Sequence, residues 1–408
     1  MGIKTVAHKA LNSIVKKYGY RVVQMNSPEN TADVTRRISL LISPQHIPFS
    51  EEAYRKSSRL EEGYTLAWIL PPLGEGSGGH LDIFRAIHHL ELNGIHSRVY
   101  IYGDQTPEES VVLSEKVKRY YGYDISDDAI FGSVREIEYA DGCVATSWET
   151  AYFVRANDNC ISKFYFVQDF EPFFYPHGSN YALAENTYHF GFKGITAGNW
   201  LANKLHEEFG MDTYPFRFSF ERELYQPKEK KDEQNRIFFY ARPYTERRAF
   251  ELGLLAFEKL KEKGVDFEVI LAGQPLTEFD LKFNYVDKGV MQLDQLCDVY
   301  SQCDFCLVFS MTNLSLLPFE IMASGSVVMS NYGENNEWLL TEENSILVQA
   351  DPDEIANRMA EILQNKDQLK ALRDNGIRTV NQITWDKEFE NVAQYVKESI
   401  TKDRLSIQ

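Results

Sequence analysis

From about residue 64 the chain alternates short apolar runs with amphipathic stretches, breaks at ERELYQPKEKKDEQNR (221–236), and then begins the alternation again. Before the break, TLAWIL, SRVYIYGD, DGCVATSWET, ISKFYFVQDFE and GITAG read as strands, with HLDIFRAIHHLELNG, SEKVKRYYG and NWLANKLHEEFG as helices. After it, RIFFYAR, FEVILAG, CDFCLVFS, SVVMSN and ENSILVQ repeat the strand signal around RRAFELGLLAFEKLKEKG, LDQLCDVYSQ and PFEIMASG. Such alternation has one economical solution, a parallel sheet with helices on both faces. Two series separated by a charged segment without periodicity predict two Rossmann-like α/β lobes in tandem. The implied division is an extension over 1–63, a first lobe over 64–220, a linker over 221–236 and a second lobe over 237–385. The extension is partly helical and packed on the first lobe, with RRISLLI as a strand and EEAYRKSSRLEEG as a helix.

Charge narrows the partners. The net charge of −17 argues against nucleic acid, which demands basic faces. Residues 1–24 are the exception: Lys4, Lys9, Lys16, Lys17 and Arg21 occur there without a carboxylate. Ala7, Leu11, Ile14, Val15 and Tyr18 share one face of a helical wheel, which fits either peripheral contact with an anionic membrane or packing on the protein's own body. No run is long and apolar enough to span a bilayer, and the N-terminus lacks the pattern of a signal peptide. Five cysteines, Cys303 and Cys306 forming a lone C-x-x-C at the start of a strand, read as reduced and structural, which places the protein in the cytoplasm.

Three segments carry chemistry. In PPLGEGSGG, Gly74, Gly76 and Gly79 have the G-x-G-x-x-G spacing of a dinucleotide turn, and Asp104 supplies the acid that such a fold wants. Pro71 and Pro72, however, separate the strand from the glycines where that fingerprint needs a tight turn. A helix start with Gly78 and Gly79 beside it still favours a phosphate, because nothing blocks the backbone amides. In YARPYTERRAF, Arg242 ends a strand and Arg247 opens a helix, a pair suited to clamping a diphosphate. In FSMTNLSLLPFEIMASG, the amides of Ser315, Leu316 and Leu317 precede a helix with Pro318 in its first turn. Glu320 can accept from ribose hydroxyls or simply favour the helix dipole. DPD (351–353) and DISDD (124–128) read as helix caps or turns rather than metal sites, so no metal and no cofactor are expected.

The Y-A-R, G-G and P-F-E-x-M-A-S-G segments together resemble a GT-B glycosyltransferase of family 4. YFVQDFEPFFYPHGSNYALAENTY is similar, more narrowly, to bacterial dTDP-rhamnose-dependent rhamnosyltransferases of surface polysaccharide and S-layer glycan assembly. The resemblance covers about 64–400 and implies two Rossmann-like lobes facing a cleft, with a final helix (386–408) crossing back to the first. It implies a retaining transferase that binds a nucleotide sugar, dTDP-β-L-rhamnose, in the second lobe. The first lobe would bind an oligosaccharide acceptor, a growing glycan either free or linked to a lipid. Arg242 and Arg247 then stabilise the departing diphosphate, Arg247 standing where the family has lysine. Glu320 bonds the nucleotide's ribose, Gly78 and Gly79 approach the donor, and Lys288 borders the base. Two departures stand out. Thr312 replaces the first glutamate of E-x7-E, which disfavours a glucose or mannose donor. The family's N-lobe histidine is absent, leaving Asp169 and Glu171, with His177 and His80 behind them, as candidates to orient or deprotonate the acceptor. A UDP- or GDP-hexose donor, a nicotinamide oxidoreductase and a catalytically inert glycan-binding module remain as alternatives, and oligomeric state is left open.

Overall fold

The structure, a computed structural model, describes residues 44–57, 63–103 and 107–407 together with positions 38 and 41. Residues 47–408 form one compact unit and residues 1–46 another. The basic segment 1–24 and Asp104 lie outside the described residues. Ile38 and Leu41 are helical, not part of the strand expected for RRISLLI.

The first lobe contributes β1 (Tyr64–Leu70), β2 (Ile95–Ile101), β3 (Ile130–Phe131), β4 (Ala140–Ala145), β5 (Cys160–Val167), β6 (Lys193–Ala197) and β7 (Asp212–Phe216). The second contributes β8 (Arg236–Tyr240), β9 (Glu268–Ala272), β10 (Tyr285–Asp287), β11 (Phe305–Leu307), β12 (Val327–Asn331) and β13 (Ser345–Val348). The sheet orders are β3-β2-β1-β4-β5-β6-β7 and β10-β9-β8-β11-β12-β13, and every pairing is parallel. Both orders reverse beside the lobe's first strand, between β1 and β4 and between β8 and β11. Such reversals open a crevice at the carboxyl ends of the strands, the usual ligand position in doubly wound sheets. The glycine loop follows β1, the arginine segment follows β8 and the Ser310–Leu317 loop follows β11, so the sequence motifs fall at these crevices.

Strands buried on both faces read as unbroken apolar runs. Leu66–Leu70 of β1 and Ile237–Phe239 of β8 are buried throughout. Phe238 and Tyr240 pack into a core continuous with the first lobe, whereas Ile237 and Phe239 point to a second core beneath the helices. The last helix, Trp385–Ile407, lies on the first lobe. Phe389 meets Phe216 at 5.4 Å, Arg404 pairs with Asp141 at 2.7 Å, and Asp403 takes Ser162 Oγ at 2.7 Å and Lys193. Arg217 and Glu388 add a bridge at 2.6 Å.

All five cysteines are buried and free, as the sequence implied. Asp351 caps the helix Pro352–Gln364, accepting from the amides of Asp353 and Glu354 at 3.0 and 2.9 Å, so DPD is a helix start. Asp351→Ala is expected to cost about 1 kcal/mol in denaturant melts, an effect of the cap alone.

Candidate active site

The glycine segment forms a loop over 71–77 before the helix Gly78–Leu92, not the tight turn of a dinucleotide fingerprint. It is braced from beneath. Tyr121 donates to Gly74 O at 2.7 Å, and His80 places its two ring nitrogens 2.9 Å from Ser77 Oγ and 3.3 Å from Pro71 O. Burial lowers the His80 pKa. His80 is therefore occupied in shaping the loop and is not free to serve an acceptor. A Cβ on Gly78 would meet nothing within 4 Å, and one on Gly79 only the end of Gln168 at 3.7 Å. Neither glycine is required by the packing of its own fold, and the backbone at both is open to close approach.

The second lobe assembles three guanidinium groups where two were expected. Arg242 follows β8 and has one long hydrogen bond, to Gly273 O at 3.4 Å. Arg247 sits over the ring of Phe174 of the first lobe, its Cζ 4.3 Å from the ring centre, with its Nε buried and without a hydrogen-bond partner. Arg248 donates to Ser310 Oγ at 2.7 Å. Burial lowers the Arg248 pKa, as do Arg247 and Arg242, while Tyr240 and Asp169 oppose the shift. The carboxylate facing this group is Asp169, whose Oδ2 is 3.9 Å from Arg247 Nε. Three cations against one anion are an unbalanced cluster, suited to a doubly charged ligand.

Asp169 ties the lobes together. Its Oδ2 accepts from Thr312 Oγ1 at 2.7 Å and its Oδ1 from the Asn313 amide at 2.8 Å. Asn313 Nδ2 donates to Gln168 O and Ala197 O, and Gln168 Nε2 donates to Gly79 O at 3.1 Å. The chain Gly79–Gln168–Asn313 thus connects the glycine loop to the second lobe. Burial raises the Asp169 pKa, against the bonds from Thr312 and Asn313 and the charges of Arg247 and Arg248. The residue that replaced the first family glutamate, Thr312, has a carboxylate beside it after all, supplied by the other lobe.

Glu171 is a correction. A short 3-10 turn, Glu171–Phe174, rotates its side chain into the first lobe, where Tyr165 Oη donates at 2.7 Å and the Trp148 amide at 2.9 Å. Both oxygens are committed and the residue is 8% exposed, so it serves the fold, not an acceptor. Burial pushes its carboxyl up to about 8. His177 stacks on Tyr181 at the edge of the cleft, ring centres 4.1 Å apart.

Glu320 sits in the first turn of the helix Leu317–Ala323, whose first backbone bonds run from Phe319 and Glu320 to Leu316 O. The Ser315, Leu316 and Leu317 amides precede that bonding. Burial raises the Glu320 carboxyl to about 7; Tyr225 and Arg85 oppose the shift and Asp82 and Glu221 add to it. Arg85, on the helix after the glycine loop, is paired with Asp82 and with Glu221 at 2.8 Å, and its charge acts on Glu320 of the second lobe. Lys288 is exposed beyond the edge strand β10, its amide bonded to Leu271 O at 2.8 Å. It does not join the arginine cluster. Among the described residues no group of three or more His, Cys, Asp or Glu is placed to hold a metal ion, and no helix is long and apolar enough to cross a membrane.

Two lobes of Rossmann order, meeting at a cationic crevice and bridged by the final helix, define the GT-B glycosyltransferase fold. Residues 79–199 match the N-terminal domain of WsaF and residues 235–360 the WsaF C-terminal domain. The two matches lie in that order along the chain. O-antigen biosynthesis protein RfbC of Myxococcus xanthus is 30% identical over 360 residues, which is 86% of this chain and 28% of that protein. The chain therefore spans little more than a quarter of that relative's length. Among solved structures, sucrose-phosphate synthase from Thermosynechococcus elongatus aligns with a TM-score of 0.62 at 13% identity, covering 82% of this chain and 98% of the other. Anabaena Alr3699/HepE, in complex with UDP and glucose, aligns with a TM-score of 0.61 at 11% identity, covering 82% and 99%.

Proposed function

We propose that the protein is a retaining glycosyltransferase that moves rhamnose from dTDP-β-L-rhamnose to a growing glycan of a bacterial surface glycoconjugate. The observation that carries the reading is the cluster Arg242, Arg247 and Arg248 over the β8–β11 crevice, with Asp169 facing it. A nucleotide sugar brings a diphosphate to that charge, and its negative charge grows as the glycosidic bond breaks. The arginines stabilise the leaving diphosphate, Glu320 takes the ribose, and Gly78 and Gly79 let the first lobe close over the transferred sugar. In a front-face displacement the acceptor hydroxyl attacks the anomeric carbon from the side the diphosphate leaves. Its proton passes to a leaving phosphate oxygen, and a β donor gives a β product. Asp169 acts by holding the lobes and Arg247 in register. The WsaF domains and the O-antigen role in the name of the RfbC relative support a place in surface glycan assembly. Thr312 supports a sugar unlike glucose or mannose.

A family 4 transferase with a UDP-hexose donor is the second reading, favoured by the UDP and glucose in the HepE complex. A thermal-shift screen of dTDP-, UDP- and GDP-sugars separates the two. Stabilisation of about 2.7 kcal/mol is expected from dTDP-rhamnose at a hundred times its dissociation constant. A response to UDP-glucose alone replaces the donor, and NAD(H) binding without any nucleotide-sugar response overturns the transferase reading.

A further inference from the structure

The loop after β5 carries aromatic surface that no core absorbs. Phe173 and Phe174 are 44% and 37% exposed, and Met311 of the second lobe is 37% exposed. Phe173 and Met311 line a cavity of about 510 Å³, bordered by Phe173, Tyr175, His177 and Tyr181 on one side and Arg247 and Thr312 on the other. Its walls are fixed in place. The His177 and Tyr181 rings are stacked 21° from parallel, and Phe173 stands edge-on to Phe170 at 4.7 Å. Tyr175 Oη accepts from Trp148 Nε1 at 2.9 Å. The rim is polar: Arg247 Nε is buried and unpartnered, and Thr312 presents its hydroxyl to Asp169.

We propose that this cavity is the subsite for the terminal sugar of the acceptor glycan, seated by the apolar face of its pyranose ring. A pyranose has C–H groups on its faces and hydroxyls around its edge, which is the complement of aromatic plates with hydrogen-bonding groups at the rim. Glu246 and Met311 also border the cavity. Arg247 and Thr312 belong both to this cavity and to the crevice beside Asp169. A hydroxyl of a sugar bound here therefore lies next to the group assigned to the leaving diphosphate. The aromatic wall is open to solvent, as an acceptor that continues into a long chain requires. A 6-deoxyhexose, with a methyl group in place of the primary alcohol, suits such a wall better than a hexose.

The assignment rests on the transferase reading, and the test separates the two. Saturation-transfer NMR of the full chain with methyl α-L-rhamnopyranoside is expected to saturate the sugar's methyl and ring C–H protons. Phe173→Ala and Tyr181→Ala should lose that transfer, and Phe173→Tyr should keep it. In transfer assays Phe173→Ala should raise the acceptor KM about tenfold, the loss of one aromatic contact, with the nucleotide-sugar KM unmoved. Equal saturation in wild type and both alanine variants, or none in wild type, overturns the subsite. A raised nucleotide-sugar KM overturns it too, by placing the donor's own sugar there. Saturation that depends on Phe173 in a protein that binds no nucleotide sugar upholds the subsite and overturns the donor reading alone.

Discussion

Arg242→Ala is expected to lower transfer by about a thousandfold while the protein melts like wild type. The side chain is weakly held, with a 3.4 Å hydrogen bond to Gly273 O and its Cζ 5.7 Å from the Tyr240 ring centre. Its loss leaves no buried group unpaired, so stability should move by less than about 0.5 kcal/mol. What disappears is a charge aimed at a leaving group that becomes more negative in the transition state, so the loss falls on kcat as well as on kcat/KM. Arg242→Lys should recover part of the rate, because a point charge remains while the bidentate fork is gone. Arg248→Ala makes a useful contrast: it abandons Ser310 Oγ in the interior and should cost stability as well as rate. Steady-state kinetics with dTDP-rhamnose, paired with thermal melts, check all three. Near-normal turnover by Arg242→Ala would remove the diphosphate clamp from the mechanism.

The parallel sheets could be read from the chain because buried strands are unbroken apolar runs and their helices carry stop signals such as Gly94 and Gly264. The strands that escaped have physical reasons. β3 and β10, at two and three residues, are too short to show any period. β7 contains Pro215, which argues against a strand, yet β7 is an edge strand where proline is tolerated. Residue types in the site were legible, but their directions were not. Asp169 and Glu171, two apart, would share a face of an extended chain; the 3-10 turn that begins at Glu171 sends them to opposite sides. Arg248 does not stand out in TERRAF, since its bond to Ser310 is a contact across 62 residues. The Gln168–Asn313 link spans 145 residues and leaves no local trace. The cluster FFYPHGSNY did leave one, an aromatic density that a loop has no core to bury.

Glu171→Gln is expected to flatten the loss of stability that the wild-type protein suffers as pH rises. In the unfolded chain this carboxyl ionises near 4.5, whereas in the fold burial holds its proton until about 8. Between those values the folded state binds more protons than the unfolded state, so stability falls with rising pH. The full difference corresponds to roughly 3–5 kcal/mol by pH 9, an upper bound for one group. Every neighbour that titrates acts in a known direction. Glu149 and Asp169 push the carboxyl further up, and the Tyr165 hydroxyl and Trp148 amide pull it down. Tyr188 lies beside it with its own pKa raised by burial, so its hydroxyl stays neutral throughout. Asp82 and Glu320, each raised to about 7, add slopes of the same sign over a lower window and are untouched by the substitution. The lowered His80 acts at the acid end instead, where protonation costs stability as pH falls. Glutamine reproduces the protonated carboxyl, its carbonyl accepting from the Trp148 amide and its amide meeting the Tyr165 oxygen. The variant should therefore melt with wild type at pH 5 and above it at pH 9. Because Glu171 serves the fold and touches no substrate, transfer at pH 7 should persist in the variant. Parallel melting curves across that range would show that Glu171 ionises without cost, and a dead variant with an intact melt would return it to the active site.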